Sequence, residues 1–123
     1  MGSAWCDDGA MIVEIALLTA KPGLQDQVRA GLRTARSVIA RAPGYVDSVF
    51  LQGVTEPDSF VLRIEWDTLE AYRESFQQSA LLSEWRSHFI HLLACLPKVM
   101  PYQTIAGPGA TNELLDAGLT AND

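Results

Sequence analysis

The sequence predicts an α+β domain: a ferredoxin-like, four-stranded antiparallel sheet with its helices on one face. Three observations predict it. Apolar residues recur at spacings of three and four from Leu24 to Ala42 and again from Leu82 to Leu96, the signature of two amphipathic helices. Around these lie strand-like stretches, above all an apolar, β-branched run at 11–19 and a strict alternation at 60–66. The resulting order, β-α-β-β-α-β, is the ferredoxin-like one.

Met11-Ile-Val-Glu-Ile-Ala-Leu-Leu-Thr19 reads as a mostly buried strand, broken by Lys21-Pro22-Gly23. The first helix carries Leu24, Val28, Leu32, Ala35, Ile39 and Ala42 on one face, and Pro43-Gly44 ends it. Tyr45 to Val54 mixes aromatic and β-branched residues and runs into the turn Thr55-Glu-Pro-Asp-Ser59. Beyond the turn, Phe60, Leu62, Ile64 and Trp66 fall on one strand face and Val61, Arg63 and Glu65 on the other. Asp67 with Glu70 has the spacing of a capping box that opens the next helix, where Leu69, Tyr72 and Phe76 share a side. A further helical stretch carries Leu82, Trp85, Phe89, Leu92, Leu93 and Leu96 and stops at Pro97. Val99 to Ile105 reads as a last strand, with Pro101 suited to a sheet edge or a bulge.

With 123 residues, 48% of them apolar, the chain can bury one real core and no second. The domain is expected over 11–105, between tails at 1–10 and 106–123, the latter with a short helix near Asn112–Leu119. Fifteen acidic side chains against nine basic ones argue against a nucleic-acid partner, which needs clustered Lys and Arg. No apolar run reaches the length of a membrane span, and the first residues carry no basic or apolar signal segment. Two cysteines, Cys6 and Cys95, are too few for a disulfide scaffold and fit reduced thiols in a cytoplasmic protein.

A sheet covered by helices on one side leaves the other open. Val49, Leu51 and Val61 supply apolar surface there, and burying it between two copies predicts a homodimer.

Motifs for nucleotide cofactors and for a serine nucleophile are missing, so no cofactor is expected. His88 and His91 have metal-pair spacing on one helix, but no third ligand accompanies them and no metal is expected. Arg86 is more telling. At about 100° per residue it projects into the apolar arc of its helix, between Leu82 and Ile90. A guanidinium there keeps its charge and needs an anion, a polar ligand, water, or a partner such as Glu65 or Glu70. Trp66 and Tyr72 also direct polar tips on large apolar bodies toward the space between sheet and helices. Convergent polar tips in an apolar cavity are the usual form of a small-molecule site. Its pocket is expected to include Leu62, Phe76, Leu82 and Phe89.

Three segments resemble the antibiotic biosynthesis monooxygenase domain family: Arg41-Ala-Pro-Gly-Tyr45, Glu65-Trp66-Asp-Thr-Leu-Glu-Ala-Tyr72 and Ser79-Ala-Leu-Leu-Ser-Glu-Trp-Arg86. The resemblance spans 12–105. It implies a dimeric α+β barrel with a ligand cavity between sheet and helices in each subunit. The quinone-forming branch of this family oxidises phenolic or anthrone-like substrates with O2 and no cofactor. Its pattern of Asn, Trp, Tyr and Arg is similar here at Trp66, Tyr72 and Arg86, with Leu62 in place of the Asn. The haem-degrading branch is disfavoured, because its Asn, Trp and His positions hold Ala16, Phe76 and Arg86.

The reaction this implies begins with a delocalised substrate anion that gives an electron to O2. Radical recombination then forms a hydroperoxide, which loses water to a quinone. Arg86 would stabilise the anion, while Trp66 N–H and Tyr72 O–H would orient substrate oxygens; no strong general base stands out. The competing expectation is a non-catalytic dimer that holds an apolar metabolite, which Leu62 favours. Isomerisation of a phosphorylated metabolite, known in the wider family, ranks last for want of a basic cluster.

Overall fold

A computed structural model describes residues 11–107, with β1 (Ile12–Thr19), α1 (Gln25–Ile39), β2 (Tyr45–Gln52) and β3 (Ser59–Trp66) forming the first half. A π-helical segment (Ala71–Gln77), α2 (Ala80–Ser87), a 3-10 turn (Ile90–Leu92) and β4 (Lys98–Gln103) complete it. The sheet is antiparallel throughout, in the order β2-β3-β1-β4, and the helices lie on one face: an α+β, ferredoxin-like fold. Cys6 and the helix expected near Asn112–Leu119 fall outside the described residues.

Strand alternation decides which side chains reach the core. Ile12, Glu14, Ala16 and Leu18 of β1 and Phe60, Leu62, Ile64 and Trp66 of β3 face the helices and are buried. Against them α1 sets Val28, Leu32, Ala35, Val38 and Ile39. The opposite face stays uncovered, with Leu17, Leu51 and Met100 each about half exposed (48%, 51% and 55%). β4 is an edge strand, as Pro101 requires, and pairs that proline with Glu14.

Two expectations are corrected. Thr68, not Asp67, caps the segment after β3: its Oγ1 accepts from the Ala71 N–H at 3.0 Å. A capping box also needs a free backbone N–H at Asp67, and that group donates instead to the Gly44 carbonyl at 2.9 Å. The second correction concerns the helix expected to continue from Leu82 through Leu96. α2 ends at Ser87, Phe89 leaves the helical conformation (φ −149°, ψ −17°), and the chain turns extended at Leu93. Leu93 then bridges Ala20, with Ala94 N–H donating to Thr19 O at 2.8 Å and Lys21 N–H to Leu92 O at 2.9 Å. These bonds stitch the segment to the end of β1 and take backbone groups that a continuing helix would need for itself. His88 and His91 therefore do not share a helix face, and Leu96 is exposed.

Candidate active site

Five aromatic rings build the wall beside the site. Trp66, on β3, stacks on Phe76 with centroids 5.3 Å apart, and Phe76 meets Trp85 edge-on at 5.2 Å. Trp85 in turn meets Phe89 at 4.8 Å, and Tyr72 lies 6.1 Å from Trp66. The π-helical stretch brings Tyr72 and Phe76 onto one buried side, four residues apart. Rings at these separations and tilts gain favourable quadrupole contacts beyond their burial, so the wall is rigid.

Behind it, Trp66 Nε1–H donates to Glu14 Oε1 at 3.0 Å. The register explains the contact: Ile12 is opposite Trp66 and Glu14 opposite Ile64, which makes Glu14 and Trp66 diagonal neighbours on one sheet face. Glu14 is 1% exposed among apolar residues. Burial lifts its carboxyl from the usual 4.5 to about 7, although the Trp66 hydrogen bond pulls the other way. Such a group takes or returns a proton near neutrality. Burial, with Glu14's charge second, pushes the Tyr72 phenol up to about 12 against the opposing pull of Arg73. Tyr72 therefore stays protonated, a hydrogen-bond donor.

A cavity of about 250 Å³ opens beside Glu14. Glu14 and Ala16 of β1 meet Val99 of β4 on its sheet side, while Leu82, Trp85 and Arg86 of α2 form the other wall. Gln77, Leu96 and Pro97 complete its lining. Ala16 helps to make the space, setting a methyl in the row where Ile12 and Leu18 carry larger groups. Arg86 is half-buried and forms no ion pair among the described residues; Glu65 pairs with Arg63 instead. Trp85, 4% exposed, has an indole N–H with no hydrogen-bond partner among the described residues.

Of the residues singled out in the sequence, Arg86 and Leu82 line this cavity. Trp66 reaches it through Glu14, because its N–H is already donated there. Tyr72, Phe76 and Phe89 are buried within the aromatic wall and do not line the cavity, and Leu62 is wholly buried in the core. Sequence reasoning missed Glu14. A signal was available: it is the one charged residue in the apolar run 11–19, in phase with Ile12, Ala16 and Leu18.

A larger groove, about 360 Å³, lies between α1 and β2 and is lined by Arg29, Arg33 and Arg36. Arg29 is held by Asp26 and Gln52, and Arg36 by Asp47 and Ser48, so two of these three cations already have partners within the fold. The groove contains no buried titratable group, which makes the smaller cavity the better site. Among the described residues, no cluster of three or more His, Cys, Asp or Glu could hold a metal ion, and no helix is long and apolar enough to cross a membrane.

Comparison with known proteins places the chain. Residues 11–88 match the family model described as antibiotic biosynthesis monooxygenase. A solved structure from Bordetella bronchiseptica, described as a candidate antibiotic biosynthesis monooxygenase, is 30% identical. The match covers 79% of this chain and 99% of that one, with a TM-score of 0.73. SnoaB, a cofactor-independent oxygenase from Streptomyces nogalater, superposes with a TM-score of 0.69 at 16% identity, over 80% of this chain and 97% of that one, a likeness of fold. The uncharacterized protein YczJ of Bacillus subtilis (strain 168) is 28% identical over 95 residues, 77% of this chain and 100% of YczJ.

Proposed function

Because this chain belongs to the antibiotic biosynthesis monooxygenase family, we propose that it is a cofactor-independent monooxygenase. It oxidises an electron-rich aromatic, a phenol, anthrone or quinol, with O2. One observation carries the reading: a guanidinium with no ion pair among the described residues, Arg86, and a buried carboxylate, Glu14, wall the same cavity.

Arg86 stabilises the substrate anion and the peroxide that follows from it, as a fixed charge does in a site shielded from water. Trp66 acts through Glu14, whose carboxylate it orients. Tyr72 stiffens the aromatic wall and stays neutral beside Glu14. Leu82 offers the substrate an apolar surface, and Leu62, Phe76 and Phe89 support that surface from behind. The protein supplies orientation and a partly dry enclosure, while the electrons come from the substrate. The apolar open face of the sheet supports a homodimer packed sheet against sheet.

Following O2 uptake with a panel of anthrones and hydroquinones tests the reading. Uptake above buffer, with appearance of the quinone absorbance, is the expected result. Buffer-level uptake with every member would leave a dimer that binds an apolar metabolite without transforming it.

A further inference from the structure

We infer that Glu14 is the base of the reaction, taking the proton from an uncharged aromatic C–H or O–H acid seated between Glu14 and Arg86. This rests on the oxygenase reading of the cavity and narrows its substrate class.

The geometry makes the case. Glu14 and Arg86 line one cavity, and Arg86 forms no ion pair among the described residues. A carboxylate and a guanidinium that share a cavity without neutralising one another leave a place for a group between them. Such a group meets a proton acceptor on one side and a cation on the other. Trp85 adds the apolar surface of its ring to the same cavity. Glu14 is fixed for this work, since β1 holds its backbone and Trp66 N–H holds one carboxylate oxygen.

Charge selects the substrate. An anionic ligand would set its charge against Glu14 in a poorly solvated space, whereas an uncharged acid adds none. Proton transfer then moves one negative charge from Glu14 to the substrate, beside Arg86, and leaves the net charge unchanged. The raised proton affinity of Glu14 brings the base close to neutral pH, where a general base is most effective. The other groups facing it suit this role. Tyr72 on the π-helical segment stays neutral, β3 presents Trp66, and β4 presents Val99 and Pro101.

The steps balance. A Glu14 oxygen takes the proton of a substrate methylene, and the C–H electron pair remains on the substrate as a delocalised carbanion. One electron passes to O2, and the carbon radical and superoxide join to form a C–O bond. The peroxide anion takes the proton back from Glu14. Glu14 then removes the second proton of the same carbon as the O–O bond breaks, and hydroxide leaves with that proton as water. Overall, CH2 and O2 become C=O and H2O, and carbon is oxidised as oxygen is reduced.

Hydrogen exchange without oxygen tests the assignment apart from the oxidation. Anthrone is incubated with the full chain in D2O under nitrogen, and loss of its methylene proton signal is followed by NMR. Wild type should exchange it faster than buffer, and Glu14→Gln should lower the enzymic part at least about 100-fold while keeping the wild-type near-ultraviolet circular dichroism. Glu14→Asp, with the carboxylate drawn back by one methylene, should retain part of the rate and serves if the Gln variant does not fold. Wild-type exchange in Glu14→Gln would overturn the inference, as would O2 uptake by wild type without anaerobic exchange, which leaves the oxygenase reading standing. Exchange lost in Glu14→Gln but never followed by O2 uptake would keep Glu14 as a base and overturn the oxygenase reading instead.

Discussion

Trp66 donates its indole N–H to a Glu14 carboxylate oxygen at 3.0 Å, joining residues 52 positions apart through the pairing of β1 with β3. This single contact holds a buried charge at the edge of a cavity that also contains Arg86. It ties the stability of the fold to the chemistry proposed for the site.

Stability should depend on pH through Glu14. Its folded pKa lies above its unfolded value, about 7 against 4.5, so the folded state holds the proton more tightly. Below the unfolded value both states are protonated and Glu14 costs nothing. As pH rises toward about 7 the folded state must give up its proton or hold an ionised group in the core, and stability falls. Glu14→Gln keeps an acceptor for Trp66 and lacks this slope. Its unfolding free energy from urea titration should gain on that of wild type across this range, by about 3 kcal/mol in all. A gap that does not change with pH would contradict the burial of the charge.

Trp66→Phe should preserve the stacking on Phe76 and remove the donor. Because that hydrogen bond lowers the Glu14 pKa, its loss should move the acidic limb of the activity profile to higher pH. The stability cost should be about 1–3 kcal/mol, from the lost bond and the smaller ring. A pH–rate profile with an unmoved acidic limb would separate Trp66 from the proton chemistry.

Arg86→Ala should reduce turnover about 100-fold or more, the usual scale for a donor that faces developing negative charge. Melting should change little, since the guanidinium has no ion pair among the described residues to lose. A collapsed melting temperature at unchanged turnover per folded molecule would make Arg86 structural. Arg86→Lys keeps the charge without the planar fork and should fall between the two.

The open sheet face predicts association. Leu51→Glu sets a charge on a strand face where Leu17 and Met100 are also exposed and should yield a folded monomer. Light scattering after size exclusion gives the mass; a wild type that is already monomeric at micromolar concentration would remove the proposed dimer.

Gly31→Ala should destabilise the packing of α1 on α2 by about 1–3 kcal/mol or more. A Cβ at this site would stand 2.1 Å from the His88 carbonyl oxygen, so the helices must part to admit a methyl. Thermal melting reads the effect, and wild-type melting would mean that the helix ends shift freely.

Much of the fold is legible before any coordinates, because alternation and helical spacing are local. Phe60, Leu62, Ile64 and Trp66 announce a strand with one buried face, and Val28, Leu32 and Ala35 a helix with one. Arg86 is legible too, as a cation out of place in an apolar arc. The helix end at Ser87 is not legible, since apolar spacing continues to Leu96 while hydrogen bonds to Thr19 and Lys21 draw the backbone away.

Glu14 marks the boundary between the two kinds of knowledge. Its phase in an apolar strand is written in residues 11–19 and implies burial. Its partner is not, because a strand's pattern says which face is buried and nothing of which residue lies alongside. Pairing β1 with β3 sets Glu14 diagonal to Trp66, and the early end of α2 leaves β4 uncovered, so that Arg86 and Val99 share a cavity with the carboxylate. Local periodicity determines the elements and their buried faces. Register and chain breaks depend on contacts between residues far apart in the chain, so the meeting of carboxylate, indole and guanidinium is decided only in the folded protein.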